Sequence, residues 1–279
     1  MTDEAYIAAG AEITDAAGAL SCPLVLKVRS PSDAEAAQMK PGSTLVGMLN
    51  PFDASGLQRL AGAQLTGFAL EAAPRTTRAQ SMDVLSSQAN IAGYKAVMMA
   101  ADKYQRFFPM LMTAAGTVKA ARVVILGVGV GGYAKPMPPS WLARQAVEVA
   151  KRVAQADIVI STALIPGRAA PTLITEEMVK SMKPGSVIVD IAAGKGANGG
   201  GNCPLSEADK TVVKHGVTLI GETNLAALVA ADASALYARN VLDFLKLIIN
   251  KEGALHVDME DDIVVACLMT QGGDVKRKQ

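Results

Sequence analysis

The 279-residue sequence has little that would mark it for an oxidising compartment, a membrane or a charged polymer. Its three cysteines, Cys22, Cys203 and Cys267, are odd in number, and none shares a metal-ligand spacing with another. They read as reduced core or surface thiols, with no disulfide framework and no metal site. Histidine is almost absent, His215 and His256 being the only two. An excess of one charge is missing as well. The formal net charge is +1, and the Lys276-Arg277-Lys278 run reads as a solvated tail, so no nucleic-acid partner is expected. No apolar run approaches the ~18 residues that span a bilayer. The opening TDEAYIAAGAEI is acidic and helical, without the basic and apolar regions of a secretory signal. The expectation is a soluble, cytoplasmic chain with no direct membrane insertion.

What is present suits a large core. Half of the residues are hydrophobic and 19% are charged, enough for two domains of ordinary size or one large α/β unit. Short β-branched runs at 23–28, 43–49, 63–70, 122–128, 157–164, 186–192 and 217–222 read as strands. Several are apolar on both faces, as buried parallel strands are. Helical segments lie between them at 53–61, 142–155, 175–182 and 207–215. Thr175 before Glu176 and Glu177, with Lys180 and Lys183 at the other end, suits the helix dipole. Alternating strands and helices predict parallel sheets covered on both faces. Two longer helical patterns, 86–107 and 233–250, read either as two core helices or as connectors between two α/β lobes with a cleft where ligands of such sheets bind.

RVVILGVGVGGYAKPMPPSW, from Arg122 to Trp141, joins a buried strand to a glycine loop. Gly127, Gly129 and Gly132 fit G-x-G-x-x-G directly after the strand, the position of a dinucleotide fingerprint. The first glycine makes the turn, the second lets the backbone approach pyrophosphate, and the third lets helix pack on strand. A helix should follow at once, with its free N–H groups facing the phosphates. Pro136, Pro138 and Pro139 follow instead, so the next helix is not expected before Ser140. The acid that holds the ribose at the end of the second strand is missing too, since the next strand ends in Ser161-Thr162-Ala163.

Several stretches resemble one known family. RTTRAQSMDVLSSQANIAGYKAV (Arg75–Val97), FPMLMTAAGTVKAARVVILGVGV (Phe108–Val130), STALIPGRAAP (Ser161–Pro171), MVKSMKPGSVIVDIA (Met178–Ala192) and GGNCPLSEADKTVVKHGVTLIGETN (Gly200–Asn224) are similar to the soluble NAD(H)-binding alpha subunit of proton-translocating NAD(P) transhydrogenase. Alanine dehydrogenase is its structural cousin. The resemblance covers nearly the whole sequence and implies two Rossmann-like, doubly wound parallel-sheet lobes joined by two long helices. Residues 1–78 with 235–279 would form one lobe and 93–226 the NAD-binding lobe, with connections at 79–92 and 227–234. Either lobe has room to be incomplete. Family members begin earlier, with a further βαβ unit. After GVGV they continue into the phosphate-facing helix and a second strand ending in Asp, whereas here Val130 runs straight into Gly131-Gly132-Tyr133. By this comparison Gly132 belongs to the family's mobile loop and not to the fingerprint.

The resemblance also assigns roles. Arg75, Gln80 and Asp83, with Ser86, correspond to the loop against the nicotinamide. An Arg–Asp pair would fix that loop and leave the Gln amide free. Tyr133 corresponds to the aromatic of the mobile loop that closes over the nucleotide. Gly127, Gly129, Val130 and Gly132, with Thr162, Ala163 and Leu164 at a strand's carboxyl end, form the cofactor-facing edge. Without the resemblance, the same loop reads as a helix N-terminus with Ser81 as its cap. The implied activity is hydride transfer between NADH and NADP⁺. NADP(H) and the proton path would lie on partner subunits at the inner membrane, and the family's subunits dimerise. A shortened homologue that assembles with partners without binding NAD is one rival reading. Alanine dehydrogenase is another: Lys27 fits its substrate lysine, but the position of its catalytic histidine falls near Asn50, and imine chemistry needs a protonatable group there. The glycine cluster Gly194–Gly201 reads as a flexible rim loop that could meet a partner.

Overall fold

The computed structural model describes residues 2–127, 137–165 and 167–277. In chain order, α1 (Asp3–Ala8), α2 (Ala16–Leu20), β1 (Leu24–Arg29), α3 (Asp33–Ala36), β2 (Thr44–Met48), α4 (Ala54–Gly62) and β3 (Thr66–Ala69) come first. The long α5 (Val84–Tyr104) leads to a β4–β5 hairpin (Leu111–Thr113, Gly116–Val118), then β6 (Val123–Leu126), α6 (Pro139–Gln155) and β7 (Ile158–Ser161). After these come α7 (Glu176–Ser181), β8 (Val187–Asp190), β9 (Thr211–Lys214), β10 (Val217–Ile220), α8 (Ala230–Ile248), α9 (Asp262–Cys267), β11 (Leu268–Gln271) and β12 (Asp274–Val275). The chain divides into two compact units, Met1–Ala89 with Ala230–Gln279, and Asn90–Val229.

The first unit is built on a sheet of order β1-β2-β3-β11-β12, in which β1, β2 and β3 are parallel and β11 and β12 antiparallel. Side chains alternate across it, as the strand period requires. Val46, Phe68 and Leu268 face one way, into a core with Tyr237, Val241 and Phe244 of α8 and Ile263 and Val264 of α9. Leu45, Ala69 and Met269 face the other way, against Leu20, Leu57 and Leu60 of α2 and α4. The Phe68 and Phe244 rings pack tilted, with centroids 5.4 Å apart. The stretch Leu225–Ile248 is, contrary to expectation, long and apolar enough by composition to cross a membrane. In this fold, however, its Tyr237, Val241, Phe244 and Ile248 form the inner stripe of a core helix.

The second unit carries a sheet of order β6-β7-β8-β10-β9. The strands β6, β7, β8 and β10 are parallel, and β9 is an antiparallel edge. Val159, Ile188 and Leu219 pack under Val149 and Val153 of α6 and Val179 of α7. Ile158, Ile160, Val187 and Val189 pack on the opposite face under Ala96, Ala100 and Tyr104 of α5. Helices thus cover both faces of each sheet, as a doubly wound α/β fold requires. The expected helix at 207–215 is a strand and a turn instead. Thr211, Val212 and Val213 are β-branched, and His215 and Gly216 both take positive φ (52° and 77°), the pair that a tight hairpin between β9 and β10 demands.

Candidate functional site

The loop from Pro74 to Ser86 in the first unit owes its shape to alternate anchoring and exposure. Ala79 and Met82 are buried in the α8/α9 core, and Val84 starts α5 from the same core. Arg78 reaches to the start of α9, where its guanidinium donates to Asp261 at 2.6 and 2.8 Å and also to Asp262. Asp261 is the N-cap of α9, accepting from Ile263 N at 2.9 Å and Val264 N at 3.1 Å. The Arg78 guanidinium, with those N–H groups, holds the Asp261 carboxyl at about 2. From α8, the buried Asn240 donates to Ser81 O at 2.6 Å and accepts from Ser87 Oγ at 2.8 Å. The loop is therefore pinned to α8 and α9 of its own unit.

Between these anchors, Pro74, Arg75, Thr76, Thr77, Gln80, Asp83 and Ser86 line an open cavity of about 310 Å³, at the small end of ligand pockets. The expected nicotinamide residues Arg75, Gln80, Asp83 and Ser86 thus share one cavity. Their bonding differs from expectation. Asp83 does not clamp an arginine: it accepts from Ser86 N at 2.9 Å and Ser86 Oγ at 2.5 Å, so Asp83, and not Ser81, caps α5. The arginine that makes the fork is Arg78, to which the sequence motif assigns no role. Arg75 and Gln80 stay exposed at the cavity wall.

In the second unit, Gly127 ends β6 with φ 90°, and a Cβ on it would lie 2.6 Å from Ala163 N. Only glycine fits that turn. Thr162 N donates to Leu126 O at 2.9 Å, which fixes Thr162-Ala163-Leu164 beside the glycine. Asn202 locks the same segment. Its amide accepts from Ala163 N at 3.0 Å and donates to Ala163 O at 2.9 Å and Pro171 O at 2.8 Å. Asp190, fully buried at the end of β8, accepts from Ala192 N, Asn202 N, Cys203 N and Ser161 Oγ at 2.8–3.2 Å. The glycine cluster is therefore no free loop in its second half: Gly200 to Cys203 is buried, and Gly196 N donates to Gly200 O at 2.7 Å. Sequence reasoning missed Asp190 and Asn202, although an acid within the apolar run SVIVDIA was a visible sign. Gly129, Val130, Gly132 and Tyr133 lie outside the described residues.

These residues fit a nicotinamide dinucleotide in part. The glycine turn and the open strand end suit a close backbone approach. The ribose-binding acid is not supplied at the end of β7, and Asp190 is saturated by its four donors. Lys27 is ion-paired with Glu35. His215 meets Glu176 at 2.9 Å on the surface, and His256 lies in the loop after α8. Among the described residues no cluster of His, Cys, Asp and Glu could hold a metal ion.

Comparison with known proteins gives two domain matches: Alanine dehydrogenase/PNT, N-terminal domain, at residues 1–92, and Alanine dehydrogenase/PNT, C-terminal domain, at 96–135 and 140–278. The chain is 42% identical to an NAD(P) transhydrogenase subunit alpha polypeptide of Rhodospirillum rubrum, with 99% of this chain and 86% of the relative covered. It is 29% identical to alanine dehydrogenase of Methanococcus maripaludis, with 99% and 82% covered. A solved structure of transhydrogenase from Sinorhizobium meliloti superposes with a TM-score of 0.89 at 42% identity, covering 99% of this chain and 87% of that one. The Rhodospirillum alignment runs over 334 positions against the 279 residues here. The relative therefore has interior residues without a counterpart, in keeping with a match to the C-terminal domain that breaks between 135 and 140.

Proposed function

Because this chain belongs to the alanine dehydrogenase/PNT family and is an alpha-subunit relative of NAD(P) transhydrogenase, we propose that it is the NAD(H)-binding component of that enzyme. It passes hydride to NADP⁺ held by a partner subunit, on the cytoplasmic side of membrane subunits that carry protons. The observation that carries this reading is the pinned loop whose Arg75, Gln80, Asp83 and Ser86 line one cavity. NADH, when bound, supplies the hydride. No proton travels with it, so the chain's task is placement of the ring and not acid–base chemistry. Gln80 can donate to and accept from a carboxamide, Arg75 supplies a donor fork, and the Asp83–Ser86 cap keeps the loop from shifting. In the second unit, Gly127 and Thr162–Leu164 form the edge that backs the nucleotide. Tyr133 and the remaining loop glycines keep the roles that the family resemblance assigns to them.

The relative's interior residues without a counterpart here favour a second reading, a shortened homologue that assembles without binding NAD. NADH titration by fluorescence separates the two. Loss of one charged ribose hydrogen bond costs about 1.5–3 kcal/mol, or about ten- to a hundred-fold in affinity. Weak, saturable binding is therefore expected, with transfer to NADP⁺ only after a partner subunit is added. Gln80→Asn should then slow transfer by orders of magnitude at nearly unchanged NADH affinity. No binding at any NADH concentration would establish the non-catalytic reading.

A further inference from the structure

Gln80 stands in the short turn Gln80–Met82, between residues that point away from the cavity. On its N-terminal side Arg78 turns to α9, where its fork closes on Asp261 at 2.6 and 2.8 Å and also reaches Asp262. On its C-terminal side Ser81 offers its carbonyl to Asn240 of α8. That amide donates to Ser81 O at 2.6 Å and, at its other end, accepts from Ser87 Oγ at 2.8 Å. Ala79 and Met82 are 1% and 6% exposed in the α8/α9 core. The two residues before Gln80 and the two after it are thus tied to the core or to a helix, while the Gln80 side chain stays exposed at the cavity wall.

Neither anchor is what packing alone would select. Asn240 lies on the inner stripe of α8 with Tyr237, Val241 and Phe244, and it is 8% exposed. An apolar residue there would avoid the cost of burying an amide, whereas Asn240 uses both its donor and its acceptor on the two flanks of the Asp83–Ser86 cap. The Arg78 side chain is 49% exposed, and an ion pair so placed contributes little stability. What its two-pronged bond to Asp261 supplies is a fixed geometry. We infer that Arg78 and Asn240 are positioning residues for hydride transfer: they set the place of Gln80 against the nicotinamide and touch no substrate themselves. The inference rests on the reading of this cavity as the nicotinamide site. Removing either anchor leaves the cavity's own groups in place, so alignment is lost and most of the binding contacts are kept. A misplacement of about 1 Å can cost about a hundred-fold in rate.

The test uses the full chain with an NADP(H)-binding partner subunit. Arg78→Ala and Asn240→Leu should each slow single-turnover transfer from NADH to NADP⁺ by about ten- to a hundred-fold, with NADH affinity, read by fluorescence, within about two-fold of the parent's. Arg78→Lys keeps the charge without the fork and should recover part of the Arg78→Ala loss. Leu57→Ala, in the core on the other face of the first sheet, should lose stability without slowing transfer. With no nucleotide present, amide hydrogen exchange should quicken at residues 79–87 in both anchor variants and stay unchanged across β2 and β3. The inference is overturned by NADH affinity that falls in step with the rate, by exchange as slow as the parent's, or by a Leu57→Ala chain slowed as much. Gln80→Asn, run beside them, tells its failure from that of the site reading. If Gln80→Asn slows transfer and neither anchor variant does, only the positioning role falls. If Gln80→Asn also leaves transfer unchanged, or the parent transfers nothing, the site reading falls and takes the inference with it. If Asn240→Leu fails to fold, Asn240→Asp, which keeps the acceptor for Ser87 and loses the donor to Ser81 O, takes its place.

Discussion

The strands β2 and β6 are almost equally apolar, TLVGM and VVIL, yet their fates differ. Every residue of β2 from Thr44 to Gly47 is buried, with neighbours on both sides and helices on both faces. In β6, burial alternates between half-buried and exposed. A strand's hydrophobicity sets what it can tolerate, whereas its place in the sheet sets what it contributes. The first unit closes its sheet with β11 and β12 and guards both edges with charge. In the second, among the described residues, β6 stands at the end of the sheet and runs into the glycine turn.

The largest expected effect lies in the well-built part of the second unit. Asp190→Ala would strand three buried backbone N–H groups and the Ser161 hydroxyl, each at about 1–3 kcal/mol. Denaturant unfolding should show a loss of at least about 3 kcal/mol, and a loss below about 1 kcal/mol would mean that water replaces the carboxyl. Next comes a direct contrast of register partners. Ile160→Ala should cost about 2–5 kcal/mol and Ile125→Ala under about 1 kcal/mol, because only Ile160 is enclosed. Equal costs would show that Ile125 is enclosed as well.

A smaller effect belongs to the first unit. The native Asp261 carboxyl titrates at about 2, below its ordinary value near ~4 in the unfolded chain, because Arg78 and the α9 amides favour its charged form. The unfolded chain therefore binds the proton first. The stability from this pair is complete above pH ~4 and is lost as pH falls toward 2, and Arg78→Ala should flatten that part of the stability–pH curve. The smallest effect is chemical. Burial pushes the Cys267 thiol up to about 12 and also raises Cys203, while Cys22 is exposed. At neutral pH only Cys22 should react with a thiol reagent in the folded chain. Labelling of Cys203 before unfolding would show that the second unit opens more readily than the first.

The strands at the expected runs, the two long helices and the glycine turn at Gly127 were legible because period and turn chemistry are local. The hairpin at 211–220 was misread because KHG needs two positive-φ residues, a signal weaker than that of Asn-Gly. The β4–β5 hairpin and β12 went unseen, since strands of three or two residues leave no period to read, and the four-residue β11 went unseen because it follows α9 without a break in one apolar run. In the site, residue types pointed to Arg75, Gln80, Asp83 and Ser86. Nothing in the spacing said that Arg78 would pair with Asp261 and Asp262, which lie far along the chain.

By itself the sequence determined the α/β class, the family, and where the chain must turn, because these follow from side-chain period, glycine placement and long shared motifs. Only the tertiary structure decided which of two arginines pairs with the start of α9, that Asp83 caps a helix, and that Asp190 and Asn202 hold the strand end at Ala163. It alone revealed that VVIL stands, among the described residues, at the end of its sheet. Hydrogen-bond partners and burial depend on what the fold brings alongside a residue, and no local pattern carries that information.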